Sequence, residues 1–185
     1  SGSSINNIPV ALRLRGPLDV EALRQALNEI FRRHEILRAS FDLVDGRPTH
    51  IIAPQLPLPL AIEEPIAGPK AEREEEILRA VRAEACRPFD LVVGPLIRCR
   101  LFRLEEKDHL LSVTVHHIVA DGQSMEIIRG ELCSLYAAFK DTQTVSLPAQ
   151  SLQYVDVAAW QRRQVGGETE RRHLDLLEEL RARLE

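Results

Sequence analysis

Apolar and polar residues alternate from Val10 to Arg15, with Val10, Leu12 and Leu14 on one side and Ala11, Arg13 and Arg15 on the other. This period of two predicts a strand with one buried face. Gly16-Pro17 ends it, and the period then changes: Val20, Leu23, Leu27, Ile30, Phe31 and His34 recur at helical spacing behind Asp19, which can cap the helix. A second strand is predicted over Leu37 to Leu43, with Asp45-Gly46 as the turn. Its hairpin partner is Thr49 to Ala53, since Pro48 suits a strand start. Pro54 to Pro69 has the composition of a linker, but the alternation of Leu56, Leu58, Leu60 and Ile62 predicts an edge strand within it.

The second half continues in mixed order. Ala71 to Cys86 is a charged helix with Ile77, Ala80, Val81 and Ala85 as its inner stripe, and Arg87 to Pro95 is irregular. Leu96 to Leu104 and His109 to Val115 form a hairpin around Glu105-Glu106-Lys107-Asp108. A helix over Met125 to Phe139 aligns Ile128, Leu132, Leu135 and Phe139. Ser151 can cap another helix through Trp160, which Gly166-Gly167 breaks, and Glu168 to Leu184 is a final amphipathic helix carrying Leu174, Leu177, Leu180 and Leu184. Hairpins interspersed with helices predict an α/β fold, a two-layer sandwich of a sheet under helices.

Composition narrows the function classes. The chain of 185 residues is enough for one substantial domain, and 44% hydrophobic with 28% charged residues is ordinary for a soluble protein. A net charge of −4, with both signs interspersed, gives no basic stripe, so no nucleic-acid partner is expected. No apolar run is long enough to span a bilayer, and the segment Ser1 to Pro9 has no secretory signal, so a cytoplasmic protein without a membrane partner is expected. Cys86, Cys99 and Cys133 form neither a metal pattern nor a disulfide framework, and are predicted to be reduced thiols packed as small hydrophobes.

The candidate chemistry lies in the run His116-His117-Ile118-Val119-Ala120-Asp121-Gly122. On a strand, neighbouring side chains point to opposite faces, so the two imidazoles cannot meet one metal or one substrate. Val113 and Val115 share a face with His117, and Thr114 with His116. One histidine is predicted to be buried and structural, and the other to sit at the strand end, where reactive groups are placed. Asp121 is the nearest third ligand for a metal, but at helical spacing in a segment that is not helical, so no metal is expected. Two histidines at a strand end, followed by an Asp-Gly turn and a helix start, form a candidate site.

This HHxxxDG run resembles the core motif of nonribosomal peptide synthetase condensation domains, members of the chloramphenicol acetyltransferase-like acyltransferases. Three more segments are similar to the family's. Arg33 to Phe41 resembles RHExLRTxF, Arg87 to Arg98 resembles RPFDLxxGPLLR, and Tyr154 to Trp160 resembles YxDYAxW, with Val157 for its second Tyr. Gln123 stands where the family usually has Trp. The resemblance implies a chloramphenicol acetyltransferase-like lobe, one of two arranged in a V. Residues 1–185 correspond to the N-terminal lobe without the family's first motif, and 168–185 lead toward the inter-lobe linker.

The implied reaction is amide formation between a donor acyl or peptidyl thioester and the amine of an acceptor aminoacyl thioester. His117 is assigned to the amine proton, as acceptor or as orienter of the lone pair. His116 is assigned a structural role, and Asp121 an ion pair with Arg38, with Arg33 as the alternative partner. Gly122 would let the backbone turn, or a pantetheine arm, pass closely, and the helix start at Gln123 to Met125 could favour an oxyanion. No cofactor is expected to bind directly; phosphopantetheine arms arrive on carrier proteins. The implied partners are donor and acceptor peptidyl carrier proteins, the C-terminal lobe and a neighbouring adenylation domain, and the fragment alone is expected to be inactive. Tyr154 and Trp160 are expected in core packing, and Arg162, Arg163, Arg171 and Arg172 on a solvated face. An epimerization domain shares HHxxxDG, but the segment after Gly122 lacks that group's VSWR-type run. A silent recruitment module is the reading from another class.

Overall fold

A computed structural model describes residues 3–55, 57–64, 68–143 and 147–165, with side chains up to residue 162. It comprises two compact units, Ser1–Pro148 and Ala149–Glu185. The first holds β1 (Asn7–Arg15), α1 (Val20–Arg33), a 3₁₀ turn (Glu35–Arg38), β2 (Ala39–Val44), β3 (Arg47–Ile52), β4 (Leu60–Glu63), α2 (Lys70–Cys86), β5 (Ile97–Glu105), β6 (Asp108–His116) and α3 (Gly122–Lys140). Four strands form a sheet in the order β1-β6-β5-β4, and β2 and β3 pair separately. β6 runs antiparallel to β1 and β5, while β4 lies parallel to β5 at the edge, as the alternation of leucines in the proline-rich segment predicted.

The expected sandwich is found. Leu23, Leu27 and Ile30 of α1 and Ile128, Leu132 and Leu135 of α3 share one core with Leu101, Leu111, Val113 and Val115 of the sheet. α2 adds a cover on the sheet's other face, where Ile77 packs with Phe102 and Leu104. β6 is therefore buried on both faces: Ser112 and Thr114 are as inaccessible as Leu111 and Val115. This follows from its place between two strands and between two helical layers.

Local chemistry fixes the element ends. Asp19 caps α1 by accepting a hydrogen bond from the Ala22 amide at 2.9 Å. Asp45 and Gly46 have φ of 51° and 73°, the left-handed pair that a two-residue hairpin turn requires. The predicted strand over Leu37 to Leu43 is corrected at its start, since Leu37 and Arg38 belong to the 3₁₀ turn. The reason is Arg38, whose Nη1 donates to the carbonyls of Phe31 and Arg32, both at 2.7 Å. Its Nε donates to Ala53 O at 3.2 Å. A cation on the last carbonyls of α1 satisfies groups the helix leaves open, and the chain must stay close to the helix end to place it there.

Other boundaries also move. Glu105 and Asp108 lie in the strands, so the β5–β6 turn is only Glu106-Lys107; Asp108 is held in β6 by an ion pair with Arg13 of β1 at 2.6 Å. α3 starts at Gly122 instead of Met125, because Asp121 caps it. On α2 the buried residue near the C-terminus is Glu84, not Ala85. Only Cys99 is packed as a hydrophobe, and burial pushes its thiol up to about 12. Cys86 and Cys133 are exposed because their helices turn those positions outward.

In the second unit α4 spans Tyr154–Val165. It begins after Gln153, whose amide donates to Asp156 Oδ2 at 2.9 Å, so the predicted start at Ser151 lies too early. Tyr154 and Trp160 sit at the surface of this helix, 58% and 57% exposed, and not in a core. Arg162 is exposed. The break at Gly166-Gly167, the helix over Glu168 to Leu184, Arg171 and Arg172 lie outside the described residues, as does the Arg163 side chain. Among the described residues no helix is long and apolar enough to cross a membrane.

The central role of β6 makes Leu111, which is fully buried, a sensitive position. Leu111→Ala is expected to lower the unfolding free energy by about 2–5 kcal/mol in urea denaturation.

Candidate functional site

The β6 ladder ends at His116, and the next three residues turn. His116 is buried at 7% exposure, whereas His117 is exposed. The backbone amide of His116 donates to Leu96 O at 2.9 Å and that of His117 to Asn6 O at 2.7 Å. The strand end is thus tied to both sides of the site. His116 Nδ1 accepts a hydrogen bond from the Ile118 amide at 3.1 Å, and the Val119 amide donates to His116 O at 3.1 Å. An accepting Nδ1 places the proton of the neutral ring on Nε2. Burial, with His117 alongside, lowers the pKa of His116. The ring meets Phe89 edge to face, 6.1 Å between centroids and 89° between planes. Ser3, Asn6, Phe89, Leu91 and Ile118 join the two histidines around an open cavity of about 460 Å³.

Asp121 and Arg38 are not brought together. The Asp121 carboxylate accepts hydrogen bonds from the Ser124 amide at 2.8 Å and the Ser124 hydroxyl at 2.6 Å. These bonds, the hydroxyl's first, hold its carboxyl below the usual range. Arg38 is occupied by carbonyls at the end of α1. The alternative partner, Arg33, instead pairs with Glu131 of α3 at 3.2 Å, and its Nη2 also donates to Pro148 O at 2.9 Å. His34 Nε2 lies 2.8 Å from the other Glu131 oxygen. The expected ion pair is therefore corrected: Asp121 is a helix cap, and the arginines secure α1.

Asp-Gly is likewise no tight turn. Gly122 is the first residue of α3, its φ lies outside the left-handed region, and a Cβ added to it meets nothing within 4 Å. The fold does not demand glycine there. The helix start is also a poor oxyanion site, because the Ser124 amide is taken by the Asp121 carboxylate and the Met125 amide by Asp121 O. Gln123 is exposed at the second position of the helix. Among the described residues no three His, Cys, Asp or Glu side chains gather as metal ligands would.

The model of the condensation domain matches residues 1–175. The chain belongs to the condensation-domain family. It is 40% identical over 162 residues to a linear gramicidin synthase of Brevibacillus parabrevis, a match covering 88% of this chain and 2% of that protein. With phosphinothricin tripeptide synthetase PhsC of Streptomyces viridochromogenes the identity is 41%, over 88% of this chain and 15% of the relative. The chain thus spans a small part of the synthetases it matches. The X-domain from teicoplanin biosynthesis superposes with a TM-score of 0.80 at 37% identity, covering 89% of this chain and 35% of that one. It has also been solved in complex with OxyB, and there the identity is 36%. The architecture of this condensation-domain chain is the chloramphenicol acetyltransferase-like fold expected from its motifs.

Sequence reasoning missed several residues that shape the site. Phe89 and Arg98 were visible as motif letters, but nothing in their spacing places them beside His116. Glu84 was one of many glutamates on a charged helix, and Asn6 lay in a polar N-terminal loop. Glu131 was one of several acidic residues, distinguished only by its fit to two adjacent basic groups on another helix.

Two outcomes are expected. In a double-mutant cycle Arg38→Met should cost about 2–3 kcal/mol, Asp121→Ala should also destabilise, and the two effects should add; a coupling energy would restore the ion pair. The second concerns acid. The native state disfavours protonated His116 and, through burial, protonated His109. Below the unfolded value of about 6.5 the unfolded chain binds more protons, so stability falls as pH falls. Asp121, Asp108 and Glu29, lowered from 3.8, 3.8 and 4.5, lose their stabilisation only at more acid pH. Urea midpoints should therefore be level above neutral pH and decline from about pH 6.5 to 5, with a shallower decline in His116→Gln.

Proposed function

We propose that this chain is the N-terminal lobe of a nonribosomal peptide synthetase condensation domain that forms an amide bond between two carrier-bound thioesters. The observation that carries this is the division of labour at the end of β6: His116 is buried and locked, and His117 is exposed beside an open cavity. A thioester is already activated and an amine is a competent nucleophile, so positioning and one proton transfer suffice. The amine nitrogen attacks the thioester carbonyl, the C–S bond breaks, and the donor thiol leaves. His117 takes the amine proton and returns it to the departing thiolate, or orients the amine lone pair. His116 supports the turn that carries His117, Asp121 caps the helix that follows, and Arg38 and Arg33 secure α1 in the layer above the sheet. The open space above Gly122 leaves room for an approaching arm.

The partners of this reading are donor and acceptor carrier proteins with their phosphopantetheine arms, the C-terminal lobe that supplies the second wall, and a neighbouring adenylation domain. A cytoplasmic location goes with it. The chain alone is inactive, because one wall of the cleft is not in it. A second reading is favoured by the likeness to an X-domain solved in complex with OxyB: a lobe that recruits a partner enzyme.

Loaded donor and acceptor carriers mixed with the intact two-lobed domain test this by mass spectrometry of the acceptor carrier. Peptidyl transfer is expected, reduced about 10²- to 10⁴-fold in a folded His117→Ala variant. Exchange at the α-carbon without transfer would indicate epimerization, and neither activity with partner binding intact would indicate recruitment.

A further inference from the structure

We infer that Arg98 is a positioning residue for the histidine turn, acting through Phe89 on the ring of His116; this rests on the function proposed above. The guanidinium of Arg98 lies over the Phe89 ring, 3.6 Å from its centroid. Its Nε forms an ion pair with the Glu84 carboxylate. Its Nη2 donates to the carbonyls of Glu84 at 3.1 Å and Arg87 at 2.7 Å, and its Nη1 to Pro88 O at 3.3 Å. Those carbonyls belong to the end of α2 and the segment leading into Phe89. One side chain therefore fixes both the backbone before Phe89 and the face of its ring.

Phe89 in turn meets the His116 imidazole edge to face. The orientation of that imidazole matters because a half-turn about its ring bond replaces Nδ1 by a C–H. A C–H cannot accept the Ile118 amide, so the bond that closes the turn carrying His117 is lost. A buried aromatic ring packed at 89° leaves little freedom for that flip. Arginine suits the task because its planar fork can stack on a ring while donating in its own plane; lysine can supply the charge but not the fork. Glu84, 7% exposed, keeps the partly buried guanidinium paired.

The plainer role is a staple between α2 and the sheet. Arg13 provides the comparison: at another point of the same interface it joins β1 to Asp108 of β6 and Glu74 of α2, and it touches neither Phe89 nor His116. The experiment uses the intact two-lobed domain with ¹⁵N-labelled histidine and reads the His116 ring nitrogens at neutral pH, alongside peptidyl transfer. Wild type and Arg13→Met should show one tautomer, protonated on Nε2. Arg98→Met should show a mixture of ring states, with kcat down about 10- to 10²-fold and the acceptor KM within about twofold. Arg98→Lys should restore part of both. Phe89→Leu, which leaves the Arg98–Glu84 pair in place, should reproduce the mixed ring states and carries the test should Arg98→Met fail to fold. A wild-type ring signature and unchanged transfer in either variant overturn the inference. Transfer surviving His117→Ala overturns the role given to His117, and absence of transfer in the wild type overturns the functional reading; either leaves the His116 ring result standing on its own.

Discussion

Burial of β6 on both faces is the constraint on which the rest depends. A strand flanked by β1 and β5 and covered by α1 and α3 above and α2 below offers almost no solvent to the side chains from Leu111 to His116. Burying an unpartnered polar group in such a strand is costly, and the short hydroxyls of Ser112 and Thr114 find no hydrogen-bond partner among the described residues. Two adjacent histidines therefore divide at the point where the ladder stops. The first is drawn into the protein and must be hydrogen-bonded, and the second leaves with the turning chain. The local bond between His116 Nδ1 and the Ile118 amide both satisfies the buried ring and makes the turn. Structural economy and presentation of His117 are the same interaction.

The arginines around this centre show how position decides the role of one side-chain type. Arg38 closes the end of a helix, and Arg33 links that helix to α3 through Glu131. Arg98 is enclosed between a carboxylate, backbone carbonyls and an aromatic face, while Arg13 bridges two strands and a helix nearer the surface. All are basic residues on predicted strands or at helix ends, yet only their depth and neighbours separate capping, clamping and support of the site. Burial, helped by the nearby charge of Arg87, lowers the pKa of Arg98 against the opposing pull of Glu84, which marks how far the guanidinium has been withdrawn from water.

The fold was legible where periodicity is enforced by burial. β1, α1, the β5–β6 hairpin and the inner stripe of α3 follow directly from alternating or helical spacing. The boundaries that moved were set by side-chain bonds to backbone or across strands. Asp121 started α3 early, Arg38 held a 3₁₀ turn where a strand pattern began, and Asp108 stayed in β6 instead of its turn. Such bonds depend on three-dimensional proximity and leave no period in the chain. For the site, one buried histidine and one at the strand end was the expectation from strand alternation, and the structure shows His116 buried and His117 exposed, with the ladder already ended at His116. The expected Asp121–Arg38 pair did not form because a carboxylate beside a helix start has a nearer demand to meet, four open backbone amides. Phe89 and Glu84 were hidden for a related reason: one lay in an irregular loop and the other on a helix full of glutamates.

The capping role of Asp121 bears on how freely the motif can vary. A cap needs a short side chain with an acceptor oxygen, and serine, threonine and asparagine also supply one. Position 116 needs a flat ring whose nitrogen accepts from two residues ahead and whose edge fits an aromatic neighbour. The seven residues that look like one signature are therefore of unequal strictness. Sequence drift or a randomised library meets a narrow gate at 116 and, for folding, a wide one at 121, so a departure from Asp at the later position says little about whether the lobe is intact.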